Sequence, residues 1–179
     1  MLFRSFHESG LQIGDVAVAS LEIDIQTGLE PSDGSLFPDE LPFSLLKNGG
    51  TEYKNHYPMN EHLATEAFEL LQPAGEMNRF QVRKGPFVTV STITATDERA
   101  KSLFDRYAPC MEQMEGAAAA HIALLYDIPF VEIRSVSNMV GKRDKNTWNL
   151  PLAFQNACIA VETVVEKLSI KNENCIFLR

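Results

Sequence analysis

Three groups of polar residues interrupt apolar stretches of this 179-residue chain, and each has a type and spacing that could do chemistry. The first is Met114-Glu115-Gly116, at the head of the run 114–126, MEGAAAAHIALLY. A carboxylate buried there is costly unless it meets a partner, and a helix N-terminus offsets part of that cost. Glu115 is thus either a first-turn glutamate satisfied by backbone amides or a carboxylate offered to a ligand. The second group is Glu132 and Arg134 in the run 129–137, PFVEIRSVS. Alternation puts both on one face of a buried strand. They form an internal ion pair, or Arg134 positions an acidic or amide group in a site. The third is Ser135-Val136-Ser137-Asn138, where that strand ends. Ligands of open α/β sheets bind beyond the carboxyl ends of strands, which would place Asn138 at a site. An Asn after a strand is also ordinary turn chemistry. Trp148, the sole tryptophan, lies in the polar loop that follows, where it packs on the surface or caps an aromatic ligand.

These residues need a scaffold, and the pattern supplies one. Residues 15–21, DVAVASL, read as a strand, and 28–57, rich in Gly, Pro, Asp, Ser and Asn, as a long functional or mobile excursion. Residues 59–71 form an amphipathic helix capped by Asn60 and stopped by Pro73 and Gly75. Residues 86–93, PFVTVSTI, are β-branched and read as a strand. Thr96 or Asp97 caps a helix to about Tyr107, ended by Pro109. The run 114–126 is apolar nearly all round, as a helix buried on every side would be. A strand over 129–137, a loop over 138–150, a helix from Pro151 to Leu168 and a final strand over 174–178 complete the order. Alternating strands and helices point to an α/β sheet with helices on its faces.

Composition narrows the partners. Hydrophobic residues make up 45% and charged residues 22%, as in a single globular domain. The net charge of -8 argues against a nucleic-acid backbone and, weakly, against anionic membranes, leaving a small molecule as the expected partner. Cys110, Cys158 and Cys175 form no CxxC pair and read as reduced thiols, and His7, His56, His62 and His121 are scattered, so no metal site or cofactor is expected. The N-terminus lacks the apolar core of a signal peptide, and no apolar run is long enough to span a bilayer, so a cytoplasmic location is expected. GxSxG, P-loop and GxGxxG motifs are absent.

Four stretches together resemble the purine nucleoside phosphorylase and methylthioadenosine/S-adenosylhomocysteine nucleosidase superfamily: GLQIGDVAVAS (10–20), GPFVTVSTITATDERA (85–100), QMEGAAAAH (113–121) and PFVEIRSVSNMVGKRDKNTWNLPLA (129–153). VTVSTITAT, MEGAAAA, EIRSVSNMVG and NTWNLPLA resemble the futalosine hydrolases more than their relatives. The resemblance covers nearly the whole chain and implies one three-layer domain over residues 1–179, a central mixed twisted sheet flanked by helices. It implies hydrolysis of the N-glycosidic bond of futalosine, releasing hypoxanthine and dehypoxanthine futalosine on a menaquinone route, by a homo-oligomer. A phosphate-dependent phosphorylase and a homologue that only binds ligand are the alternatives.

The resemblance also assigns roles. Glu115 matches the glutamate that hydrogen-bonds the ribose hydroxyls, and Met114 packs against the sugar. Asn138 stands where the adenine-cleaving enzymes carry Asp, supported by Arg134 and Ser137. Thr94 and Ala95 fall near the segment lining the base pocket, and Trp148 matches an aromatic flap residue beside the base. An Asn amide can donate to N7 or O6 of a 6-oxopurine but is no acid at neutral pH, which favours hypoxanthine over adenine. In the family, early strands, a Gly-rich loop and a water-activating Glu precede the stretch that begins here at Gly10, about a third of the domain. A domain lacking its N-terminal strands is therefore expected, and with it weak activity or none for this chain alone.

Overall fold

A computed structural model describes the backbone of residues 3–176 and the side chains of residues 3–168. A short strand, β1 (Arg4–Ser5), leads through a 3-10 turn to the longest strand, β2 (Val16–Asp24). Next come β3 (Leu46–Asn48), β4 (Thr51–Tyr53), β5 (His56–Pro58) and helix α1 (Glu61–Asn78). Then follow β6 (Val82–Thr89), α2 (Asp97–Tyr107), β7 (Met111–Gln113) and α3 (Gly116–Leu125). β8 (Ile133–Ser135), β9 (Asn138–Met139) and α4 (Leu150–Ile176) complete the order.

The main sheet is mixed, in the order β5-β2-β6-β7-β1-β9, with β8 also on β2. β2, β6 and β7 run parallel, while β1 is antiparallel to β7 and β9 parallel to β1. β8 and β9 are the two halves of one extended segment, bent at Val136 and Ser137. The first half pairs with β2 and the second with β1, so the sheet closes on itself as a small barrel. Closure consumes edges that would otherwise be exposed to foreign strands. The core follows from the apolar residues of β2, β6 and β7: Val16, Val18, Phe87 and Met111 are fully buried. Around them pack Ala64, Ala67 and Leu71 of α1, Ala117 and Ala120 of α3, and Ala160 and Val164 of α4.

One irregularity in β2 decides which residues face the site. The register with β6 shifts between Ala19 and Leu21, leaving Ser20 as the extra residue of a bulge. Side-chain alternation therefore flips there, and Glu22 joins the face of Ala17, Ala19, Phe87 and Thr89.

Several boundaries differ from the sequence expectation. α1 has its Asn60 cap, with Oδ1 accepting from the Leu63 amide at 2.9 Å, but it runs through Pro73 and Gly75 to Asn78. Gly75 lets the end turn back tightly, because a Cβ there would lie 2.5 Å from the Phe80 carbonyl oxygen. The β6 strand covers 82–89 rather than 86–93, since its parallel pairing with β2 runs from Val82 opposite Val16 to Thr89 opposite Asp24. The 28–57 excursion contains the β3–β4 hairpin and the start of β5. The strand expected over 129–137 is regular only at 133–135, because the chain must leave β2 to reach β1. α3 is not buried on every side: Ile122 and Leu125 are exposed. α4 continues to Ile176, so residues 174–176 are helical and not a strand; 177 and 178 lie outside the described residues. Among the described residues, no helix is long and apolar enough to cross a membrane.

Candidate active site

β7 is the hub of the site. Its last two residues, Glu112 and Gln113, point to opposite faces of the sheet and anchor two separate polar networks.

On one face, Glu112 meets Arg4, its register partner in β1: Nη1 donates to Oε1 at 2.8 Å. The same guanidinium donates to the carbonyls of Thr94 (2.6 Å), Met139 (3.2 Å) and Gly141 (3.2 Å). The Thr94 amide donates to Glu112 Oε1 at 3.3 Å. Arg4 is also the register partner of Asn138 in β9. Burial holds the Arg4 pKa below its ordinary value, opposed by the facing Glu112 carboxylate. Asn138 is 1% exposed: its Oδ1 accepts from the Ser137 hydroxyl at 3.0 Å, and its Nδ2 donates to the Met139 carbonyl at 3.2 Å. Ser137 is tied to Phe3, whose carbonyl accepts from its hydroxyl at 2.8 Å.

On the other face, Gln113 Nε2 donates to Glu22 Oε2 (2.8 Å) and Thr89 Oγ1 (2.5 Å), while its Oε1 accepts from the amides of Glu115 (2.5 Å) and Gly116 (2.6 Å). Thr89 Oγ1 donates to Glu22 Oε2 at 2.8 Å and accepts from the Ala117 amide at 2.9 Å. The first amides of α3 are thus satisfied by side chains of β6 and β7, which fixes where the helix starts. Arg134 Nε donates to Glu132 Oε1, and the Arg134 guanidinium lies 4.5 Å from the centre of the Phe3 ring.

A cavity of about 490 Å³ opens beside this face, within the range of small-molecule pockets. Glu115, Glu132 and Arg134 line it, with Phe130, Val161 and Val165 as apolar wall. The expected residues therefore fall into two groups. Glu115 and Arg134 share the cavity; Thr94, Ser137 and Asn138 gather around Arg4. Sheet direction relates the groups: the C-terminal end of β7 and the start of β9 lie at the same end of the sheet, two strands apart across β1. That is about 10 Å between strand axes. The burial expected of Glu115 is not found, because its side chain projects past the helix start and is exposed, as is that of Met114. Ala95 is exposed. Trp148 is half-buried under Arg143, whose guanidinium lies 5.2 Å from the ring centre.

Sequence reading missed Arg4, Glu22, Glu112, Gln113 and Thr89. A charge or amide inside an apolar strand was the available signal: Glu22 within VAVASLEID, and Glu112-Gln113 within CMEQM.

Residues 5–168 match the phosphorylase superfamily. A futalosine hydrolase of Streptomyces coelicolor is 31% identical over 139 residues, covering 77% of this chain and 52% of that protein. A futalosine hydrolase of Thermus thermophilus is 28% identical over 160 residues, covering 89% of this chain and 64% of that protein. The chain thus spans 52% and 64% of the length of these two relatives. The solved futalosine hydrolase of Helicobacter pylori superposes with a TM-score of 0.73 at 18% identity, over 93% of this chain and 64% of that one. That likeness is one of fold.

Proposed function

Since this chain belongs to the phosphorylase superfamily, we propose that its site serves hydrolysis of the N-glycosidic bond of futalosine, with hypoxanthine as the leaving base. The observation that carries this reading is the exposed Glu115 carboxylate just past the C-terminal end of β7, lining a cavity of small-molecule size; Asn138 lies at the same end of the sheet but on the Glu112 face, and does not line that cavity. Glu115 holds the ribose hydroxyls so that water reaches C1′ in line with the departing base. The glycosidic bond stretches first, and the sugar gains oxocarbenium character. The Asn138 amide donates to N7 or O6 of the purine and stabilises its developing charge, exchanging the Met139 carbonyl for the base. Met114 packs on the sugar, Thr94 and Ala95 line the base side, Ser137 supports Asn138, and Trp148 closes over the base; the support first expected from Arg134 is not part of this reading, because Arg134 is paired with Glu132 in the cavity.

The proposal includes a homo-oligomer in the cytoplasm. The exposed apolar side chains of Phe154, Val161 and Val165 on α4 support such an assembly.

Incubation with futalosine in phosphate-free buffer, followed by chromatography for free hypoxanthine, tests the reaction. Calorimetric titration with futalosine tests binding independently. Release that depends on added phosphate would assign a phosphorylase instead. Binding with no release under either condition would leave a ligand-binding homologue.

A further inference from the structure

The bulge in β2 turns Glu22 inward, toward Glu132 at the entry to β8, and the glycosidase reading gives this carboxyl pair no task. Glu22 is fully buried, and Glu132 nearly so. Glu22 Oε2 already accepts from Thr89 and Gln113, and Glu132 Oε1 accepts from Arg134. The remaining oxygens, Glu22 Oε1 and Glu132 Oε2, are buried with no hydrogen-bond donor among the described residues. They belong to side chains that crowd one point: a Cβ on Gly116 would lie 2.3 Å from Glu132 Oε2 and 2.6 Å from Glu22 Cδ. Two acceptors so placed cannot satisfy each other as carboxylates. One proton between them gives each a partner and removes the repulsion of two buried like charges.

We propose that Glu22 and Glu132 share a single proton, and that this acid pair, acting through Gln113, is the positioning device that sets Glu115 toward the ribosyl group. The connection is continuous. Glu22 fixes the Gln113 amide, whose oxygen receives the Glu115 and Gly116 amides and so orients the first turn of α3. Glycine at 116 is the only residue that leaves room for the pair. Burial, and then the facing Glu132 charge, push Glu22 up to about 9. The other groups facing Glu22 are Arg134 beyond Glu132, Thr89 of β6, Gln113 of β7 and Tyr57, its register partner on β5. The Tyr57 hydroxyl is engaged with the Lys54 carbonyl and His121. The role given to Glu115 rests on the glycosidase reading; the shared proton does not.

Two variants and two readouts test the pair. In Glu22→Gln, the amide oxygen can still accept from Thr89 and Gln113, and the amide nitrogen can donate to Glu132. Infrared difference spectra taken below and above pH about 9 should show a protonated carboxylic band in the wild type that Glu22→Gln lacks. Futalosine affinity should weaken in the wild type as pH rises through that value, and stay level in Glu22→Gln. Glu22→Ala should lose about tenfold in affinity, the order seen when an outer partner of a ligand-holding group is removed, and Glu22→Gln should restore it. A band that persists in Glu22→Gln, or an affinity in Glu22→Gln as poor as in Glu22→Ala, overturns the proposal. Failure of the wild type to bind futalosine at all overturns the glycosidase reading and the positioning role with it, while the infrared band still decides the shared proton.

Discussion

Arg4 and Glu112 are register partners in adjacent strands, and their side chains meet at 2.8 Å with 2% and 1% exposure. Arg4 also serves three backbone carbonyls from the 94 and 139–141 segments, so this pair ties β1, β7 and β9 together. Removing one partner leaves the other charge buried and uncompensated. Glu112→Ala is expected to lose about 3–5 kcal/mol of unfolding free energy in urea titrations. A loss under about 1 kcal/mol would mean that water reaches Arg4 and the pair is not structural.

Stability should depend on pH in a particular sense. Glu22 is raised from 4.5 to about 9 on folding, so between those values the folded chain binds one proton more than the unfolded chain. The contribution of Glu22 is therefore full below the unfolded value, declines as pH rises, and stops changing above about 9; the lowered His56 acts in the opposite sense, and only below its ordinary value of 6.5. The limiting slope is about 1.4 kcal/mol per pH unit. Glu52 and Glu61, held low by hydrogen bonds from Lys47 and Lys84, are surface groups whose contribution is lost only at pH below that window. Melting curves across this range should slope downward for the wild type and flatten for Glu22→Gln. An upward slope in the wild type would contradict the burial of Glu22.

Glu115→Gln should weaken futalosine binding while leaving the fold intact, because the side chain is exposed and the amides at the start of α3 are served by Gln113 and Thr89. Where turnover is measurable, a loss of about 10²–10³ in rate is expected. Equal affinity in titrations of variant and wild type would remove Glu115 from the site.

Asn138→Asp should shift preference from hypoxanthine-bearing toward adenine-bearing nucleosides, since a carboxyl can protonate N7 and accept from a 6-amino group. A change of about tenfold or more in the ratio of the two affinities is expected. An unchanged ratio would show that residue 138 does not touch the base.

The alternation of apolar residues made the α/β character and most helices legible, and Asn60 and Thr96 cap their helices as their types suggest. The line MEGAAAA also located the start of α3. What sequence hid depends on partners distant in the chain. Glu22 turns inward only because of the bulge at Ser20, which exists only through pairing with β6. The 129–137 run reads as one strand, yet only 133–135 pairs, with β2, and the chain just beyond it, 138–139, pairs with β1 instead. Glu115 was expected in the interior on the apolarity of the residues that follow it. Its own amide is satisfied by Gln113, and its side chain is directed outward.

The bent 133–139 segment has a kinetic consequence. Its pairing joins Phe3 and Ser137, residues 134 apart in the chain, so this contact closes a loop that spans most of the chain. Bringing such remote ends together spends loop entropy before any stabilisation is returned. Refolding is therefore expected to be slower than that of a domain held together by local contacts alone.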